Sequence, residues 1–361
     1  MLTADGCKAR RARLLGRIKP AEPLLLGDPL NLRYLAGFTS DPFSLGADYA
    51  GLLEIQPDGT ARFYYDARVP KSSVEEAHAD EKIGIPWYDG KSPGQGPRRM
   101  ILRAIADQHG GRIHDCLSDA LAPSIFNALH ELRRAKNPDE LDTIKACCRA
   151  GEAGQAWARG GVKAGMTELD VFNAIQVAVN EAAGKPVILY GDFAVTPGSA
   201  KRGGAPTSHV LRDGETLILD FSVVIAGYRS DYTNTLVVGV EPTTEQHRLF
   251  DLCLQAMRAG EAALKPGATG QAVYRAVQGV FEAVGMASAF PHHAGHGIGI
   301  AHPEAPFLVP LSTETLLIGD VVTLEPGLYV DGVGGVRIEH NYLITPTGFE
   351  TLAHHELRID Q

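Results

Sequence analysis

Leu217-Ile218-Leu219-Asp220-Phe221, followed by Ala226-Gly227 and then Asp231-Tyr232-Thr233-Asn234-Thr235, is the stretch that decides how this chain is read. Four apolar residues around one acid predict a buried strand, and a carboxylate in such a strand is costly unless it is paired, protonated or metal-bound. Ala226-Gly227 reads as a hairpin turn. Residues whose numbers sum to about 453 then face each other, which makes Asp220 and Asp231 diagonal neighbours on one sheet face. Two like charges so placed repel, and a cation between them reverses the sign of the energy.

Working outward, Val321-Val322-Thr323-Leu324-Glu325 ends in an acid just before Pro326-Gly327, where the chain must turn. A further strand is expected over Val336 to Ile344. Its period of two puts Arg337, Glu339 and Asn341 on one face and Val336, Ile338 and Tyr342 on the other. Between these segments, Phe290 to Glu304 carries His292, His293, His296 and His302, separated by glycines that permit close backbone approach. Four carboxylates with an imidazole make a hard, oxygen-rich donor set, suited to Mn²⁺, Co²⁺, Zn²⁺ or Fe²⁺ rather than to thiolate-rich structural zinc sites. Four negative charges match two divalent ions, a pair able to activate a water.

The chain echoes itself. Val162-Lys163-Ala164-Gly165-Met166-Thr167 and the helix expected over Glu168 to Ala183 recur as Leu264-Lys265-Pro266-Gly267-Ala268-Thr269 and a helix over Gly270 to Val284. In both copies glycine can end one helix and threonine cap the next. Two readings are open: a chance resemblance of two helices, or a duplicated half-domain with a pseudo-two-fold and a site between its halves. Upstream, Leu24 to Leu26, Leu52 to Ile55 and Ala61 to Tyr65 read as strands, and helices are expected over Val69 to His78, Arg98 to His109 and Ala122 to Ala135. Asn137-Pro138-Asp139-Glu140 has the cap, the first-turn proline and the acid three after the cap that open a helix, here expected to reach about Arg159. The boundary therefore falls between an α/β domain at 1–135 and a second domain at 136–361.

At 361 residues the chain is long enough for two domains. Its 43 acidic residues exceed 34 basic ones, and a net charge of −9 argues against nucleic-acid binding. No apolar run approaches the roughly 20 residues of a membrane span. Five cysteines, two of them adjacent at Cys147 and Cys148, do not form a disulfide framework and suit a cytoplasmic setting. Arg10, Arg11, Arg13 and Arg17 are expected on a surface helix.

Taken together, the motifs resemble those of the pita-bread metallopeptidases (M24 type), in the proline-specific branch of prolidase and aminopeptidase P. They are Leu219-Asp220-Phe221; Gly227-Tyr228-Arg229-Ser230-Asp231-Tyr232-Thr233-Asn234-Thr235; Gly295-His296-Gly297-Ile298-Gly299; and Thr323-Leu324-Glu325-Pro326-Gly327 with Val336-Arg337-Ile338-Glu339. Asn31 to Phe38 also resembles a segment of that branch's N-terminal domain. The resemblance implies an α/β N-terminal domain followed by an α+β pita-bread (creatinase/aminopeptidase) domain. It implies two divalent ions, with Mn²⁺ first and Co²⁺ or Zn²⁺ as alternatives, held by Asp220, Asp231, His296, Glu325 and Glu339. Glu325 would also shuttle protons, His292 would contact substrate on the primed side, His302 would stabilise the tetrahedral intermediate, and Arg337 would support the bridging glutamate. The implied substrate is a small peptide with proline second. Cleavage of Xaa-Pro dipeptides comes first, with aminopeptidase P activity on longer peptides or a same-fold hydrolase or lyase as alternatives, and homodimers are common in the family.

Three positions depart from the family pattern. A histidine usual 17 residues before the first aspartate is replaced by Gly203, with His209 nearby. His302 follows His296 by six residues instead of seven. The loop from Glu304 to Asp320 lacks the arginine that grips substrate carboxylate in some relatives, which leaves Arg33, Arg68 or Arg202 to provide that grip.

Overall fold

The computed structural model describes residues 1–39, 51–86, 89–92, 102–198 and 202–361. They form two compact units, one of Met1–Arg133 with Asn137–Glu140 and one of Arg134–Lys136 with Leu141–Gln361.

The first unit runs α1 (Ala4–Ile18), β1 (Leu24–Leu26), α2 (Pro29–Ala36), β2 (Gly51–Ile55), β3 (Ala61–Asp66), α3 (Lys71–Glu76), β4 (Glu81–Ile85), α4 (Arg103–Gln108) and α5 (Ala122–Leu132). The four strands make one sheet in chain order, antiparallel except for the β3–β4 pair. Asp28 caps α2 through Leu30 N and Asn31 N, Pro29 starts it, and Gly37 at φ 73° ends it. Two helices are shorter than expected: Pro70 stands before α3, and α5 stops at Leu132. The expected start of α4 at Arg98 lies outside the described residues.

The expectation of a surface helix at the basic N-terminus holds for Arg17, whose side chain is 56% exposed, and is corrected for Arg10 and Arg11. Arg10 is fully buried, and Arg11 is buried as well. Arg10 makes two hydrogen bonds to Asp139, at 2.9 and 3.2 Å, while Arg11 donates to the carbonyls of Leu35 and His78, each at 2.9 Å. The charges are inside because every one of these contacts is charge-assisted.

The main helix of the second unit, α6 (Pro138–Gly161), has its first turn in the first unit, where Asn137 N donates to Glu140 Oε2 at 2.9 Å. It continues with α7 (Glu168–Ala183), β5 (Ile188–Val195), β6 (Thr216–Ile225), β7 (Tyr228–Arg229), β8 (Tyr232–Val237), α8 (Thr244–Ala263) and α9 (Gly270–Ala283). The final stretch is all strand: β9 (Gly295–Gly297), β10 (Glu304–Leu308), β11 (Val321–Leu324), β12 (Gly327–Val330), β13 (Gly334–Arg337), β14 (His340–Thr345) and β15 (Gly348–Thr351). β6 pairs with β5 along one edge and with β7 and then β8 along the other, and a second sheet runs β10-β9-β11-β14-β15. Leu249, Phe250, Val277 and Phe281 of α8 and α9 share one core with Leu324, Val336, Ile338 and Tyr342 of the strands. Helices thus cover the outer face of the strands.

The echo in the sequence is a structural repeat. Thr167 and Thr269 cap α7 and α9, and Gly165 and Gly267 both take positive φ, at 90° and 81°. Gly165 N donates to Leu211 O at 2.9 Å and Gly267 N to Leu316 O at 2.8 Å, with the return bonds Leu211 N to Met166 O and Leu316 N to Ala268 O, each 2.8 Å. The same knot is tied twice.

The strand expected over Val336 to Ile344 is broken in two. At the break, Ile338 N donates to Pro326 O at 3.2 Å and Glu339 N to Thr233 O at 2.9 Å, so these peptides leave their own ladder for other segments. Val336, Ile338 and Tyr342 still face the core.

Candidate metal centre

The hairpin follows its arithmetic. Asp220 pairs with Thr233, Phe221 with Tyr232 and Ile225 with Tyr228, around a turn at Ala226 (φ 54°) and Gly227 (φ 82°). Both turn residues lie in the left-handed region, as a two-residue hairpin turn of this hand requires. Of the four acids only Asp220 lies within a strand. Asp231, Glu325 and Glu339 each sit in a gap between strands, where the backbone has left the ladder and can aim a carboxylate inward. Asp231 N donates to Asn341 Oδ1 at 3.0 Å, and Ser222 Oγ donates to Asp231 Oδ1 at 3.1 Å.

The repeat extends into the site. Gly214 N donates to Val238 O and Val238 N to Glu215 O; Gly319 N donates to Ile344 O and Ile344 N to Asp320 O, all four at 2.9 Å. Counting on from these matched glycines places Asp220 of β6 and Glu325 after β11 as counterparts. Asp231 and Glu339 stand before the return strand of each half. The sequence hides this because the matched stretches Leu217-Ile218-Leu219-Asp220 and Val322-Thr323-Leu324-Glu325 share only the leucine at 219 and 324.

The four acids and His296 line one cavity of about 310 Å³ with His292, His293, His302, Asp192, Arg202 and Arg337. Donor atoms of Asp220, Asp231 and Glu339 lie within 4.8 Å of one another, and so do those of His296, Glu325 and Glu339. Among the described residues, every such group of three or more donors falls in this cavity. Two larger cavities in the first unit hold none.

Asp231, His296, Glu325 and Glu339 are all under 9% exposed. Burial, then the neighbouring Asp231, Glu325 and Asp220, pushes the Glu339 carboxyl well above the carboxylate range. Asp220 is raised mainly by burial, against the pull of Arg337, whose Nη2 lies 2.5 Å away. Glu325 moves the other way: burial would raise it, but His293, His296 and His292 bring it below its ordinary value. Such a cluster of acids calls for positive charge. Glu339 Oε2 accepts from Thr233 Oγ1 at 2.8 Å, whereas its buried Oε1 has no hydrogen-bond partner among the described residues. An orphaned carboxylate oxygen in a ring of acids and an imidazole fits divalent cations. His296 is oriented to join them. Its Nδ1 lies 3.0 Å from Gly297 O, which assigns the proton there and leaves Nε2 facing Glu325 Oε1 at 3.5 Å and Asp231 Oδ2 at 3.6 Å.

The remaining expected residues are also at the cavity. His302 Nε2 is 2.6 Å from Asp231 Oδ2; burial disfavours its charge, but that hydrogen bond outweighs it and raises the imidazole. His292 Nε2 lies 3.2 Å from Tyr329 Oη, and burial pushes the ring down to about 4. Arg337 donates to Asp220, to Asp192 at 3.2 Å and to Tyr329 Oη at 2.8 Å, so it supports Asp220 rather than Glu339 directly. His209 is held by Glu215 at 3.0 Å. Arg202 lines the cavity, while Arg33 and Arg68 belong to the first unit. His293, one of the four clustered histidines but given no role of its own from the sequence, has its Nδ1 3.2 Å from Glu325 Oε1. Asp192 was not expected at the cavity, because it had no local signal.

The profile of Metallopeptidase family M24 matches residues 142–346. An uncharacterized peptidase of Staphylococcus aureus is 30% identical over 352 residues, covering 93% of this chain and 95% of that protein. Among solved structures, an Xaa-Pro dipeptidase from Bacillus anthracis superposes with a TM-score of 0.79 at 25% identity, covering 98% of this chain and 99% of the other. An X-Pro aminopeptidase from Thermotoga maritima gives 0.78 at 21% identity, covering 97% and 99%.

Proposed function

Because the chain belongs to metallopeptidase family M24, we propose that it is a dinuclear-metal peptidase that cleaves the Xaa-Pro bond of dipeptides. The observation that carries this reading is the pair of donor groups sharing Glu339, whose Oε1 has no other partner among the described residues. Asp220, Asp231 and Glu339 would hold one ion, and His296, Glu325, Glu339 and Asp231 the other. Divalent ions there would supply Lewis-acid polarisation of the scissile carbonyl and lower the pKa of the attacking water. Residues 136–361 are the catalytic domain in this reading, and 1–135 a separate N-terminal domain.

The chain's own groups do the rest. Glu325 is kept ionised by three histidines, so it can accept the proton of the attacking water and hand it to the leaving nitrogen. His293, beside Glu325, keeps that carboxylate aimed. His302 Nε2, which donates to Asp231 Oδ2, would be free to donate toward the oxygen on which charge develops once Asp231 turns to an ion. His292, buried and neutral, offers a hydrogen bond rather than a charge to the substrate. Arg337 donates to Asp220 and opposes the rise that burial imposes on its carboxyl.

The test is metal analysis of the purified protein together with turnover of Xaa-Pro dipeptides and Xaa-Pro-Yaa tripeptides with Mn²⁺, Co²⁺ or Zn²⁺. Two ions per chain and preferred dipeptide cleavage are expected, with Asp231→Ala and Glu339→Ala each losing metal and at least about 100-fold in rate. Faster tripeptide cleavage would reassign the enzyme as an aminopeptidase. A fully loaded protein inactive on both would overturn the reading.

A further inference from the structure

Asp192 is a fifth carboxylate on the cavity wall, and it belongs to none of the donor groups that could hold an ion. It lies on β5 directly opposite Asp220 of β6, and Tyr190 lies opposite Ser222, so both β5 side chains share the cavity face. Two acids opposed across a ladder repel. Here Arg337 Nη2 spans them, reaching Asp220 and, at 3.2 Å, Asp192 Oδ2. On its other oxygen Asp192 accepts from Gly204 N at 3.0 Å.

These two donors leave acceptor capacity on both oxygens, and 42% of the side chain is exposed. The exposure is toward a cavity of about 310 Å³ that contains the ion-binding acids. Its position is built in by the neighbouring residue: a Cβ on Gly203 would run into Asp192 Oδ2, so glycine at 203 is what lets the carboxylate stand there. Asp192 is thus fixed by two donors, is spared the metal, and presents negative charge to whatever enters.

Resting on the peptidase reading above, we infer that Asp192 is a specificity-determining residue that receives the α-ammonium group of the peptide. A peptide cleaved after its first residue carries that cation one carbon from the scissile carbonyl, so the anion that recognises it must stand beside the metal acids rather than at the cavity's far end. The residue makes the free amino terminus a requirement and does not take part in bond cleavage.

The experiment compares Ala-Pro with propanoyl-proline, which lacks only the ammonium, using the metal-loaded protein. Binding of both is measured by competitive inhibition of a slower chromogenic substrate, and metal content is determined alongside. Wild type should bind Ala-Pro more tightly than the desamino ligand. Asp192→Asn should weaken Ala-Pro by on the order of 10- to 100-fold, the range for a hydrogen bond to a charged group, and leave propanoyl-proline and metal content unchanged. Gly203→Ala, which displaces the carboxylate without removing its charge, should reproduce the effect, and Asp192→Glu should restore part of it. An equal loss for both ligands, no loss for either, or loss of metal from Asp192→Asn would overturn the assignment. Wild-type turnover of Ala-Pro tests the peptidase reading separately; a wild type that neither cleaves nor binds it overturns that reading and the anchor with it.

Discussion

Single residues in this molecule are decided by what reaches them from far along the chain. Asp220 announces itself, because an acid among four apolar neighbours is conspicuous wherever it occurs. Asp192 does not, because its strand alternates unremarkably and its significance comes from Asp220, 28 positions later, and from Arg337. His355 is similar: it is buried, stacks 4.9 Å from Tyr232, and its Nε2 donates to Thr233 O, 3.2 Å away. Burial, then the nearby His340 and more weakly Arg159, pushes its imidazole down to about 3 from 6.5. The folded state therefore keeps the ring neutral. Above about pH 6.5 this has no effect on stability; as pH falls below that value the unfolded chain takes up a proton the folded one refuses, and stability is lost until the pH nears 3. In His355→Phe, which keeps the stack, the stability difference between pH 7.5 and pH 5.5 measured by urea unfolding should shrink by about 1.4 kcal/mol.

Elements were legible where their signals are local. The capped helices α7 and α9 and the hairpin register could be read because threonine caps, glycines and turn pairs act within a few residues. The turn also contains a correctable cost. Ala226 holds φ 54°, a conformation that costs an alanine about 1–2 kcal/mol. Ala226→Gly should therefore stabilise the protein by about 0.5–1 kcal/mol, less than the full strain because glycine has more freedom to lose, and thermal unfolding would show it. Two features had no local signal. The break at Ile338-Glu339 is enforced by Thr233 and Pro326, and the burial of Arg10 by Asp139, 129 residues away. Removing one partner of a buried ion pair strands the other: Arg10→Ala should cost about 3 kcal/mol or more in denaturant unfolding, and the double replacement Arg10→Met with Asp139→Leu should recover much of it.

For the molecule as a whole, the four acids of the cavity repel one another, and bound cations would relieve that repulsion. Adding a chelator should lower the melting temperature and Mn²⁺ should restore it, since a ligand at about 1,000 times its dissociation constant adds about 4 kcal/mol to stability. An unchanged melting curve would mean the acids are protonated rather than metal-bound. The acid excess visible in the composition thus has two parts, an ordinary charged surface and an interior set whose meaning depends on pairing two halves of one domain.

That duplication bears on how the protein is made. Synthesis delivers Asp220 and Asp231 about a hundred residues ahead of Glu325 and Glu339, and neither half alone carries a full set of donors. A growing chain that ends before Glu325 has the two aspartates and His296 but neither glutamate, so on the metal-centre reading it would lack half of the carboxylate cage. Loading would then wait until the last strands are translated. Chains stalled before residue 325 should retain no Mn²⁺ on gel filtration, whereas released full-length chains should. Metal uptake would then report a completed chain.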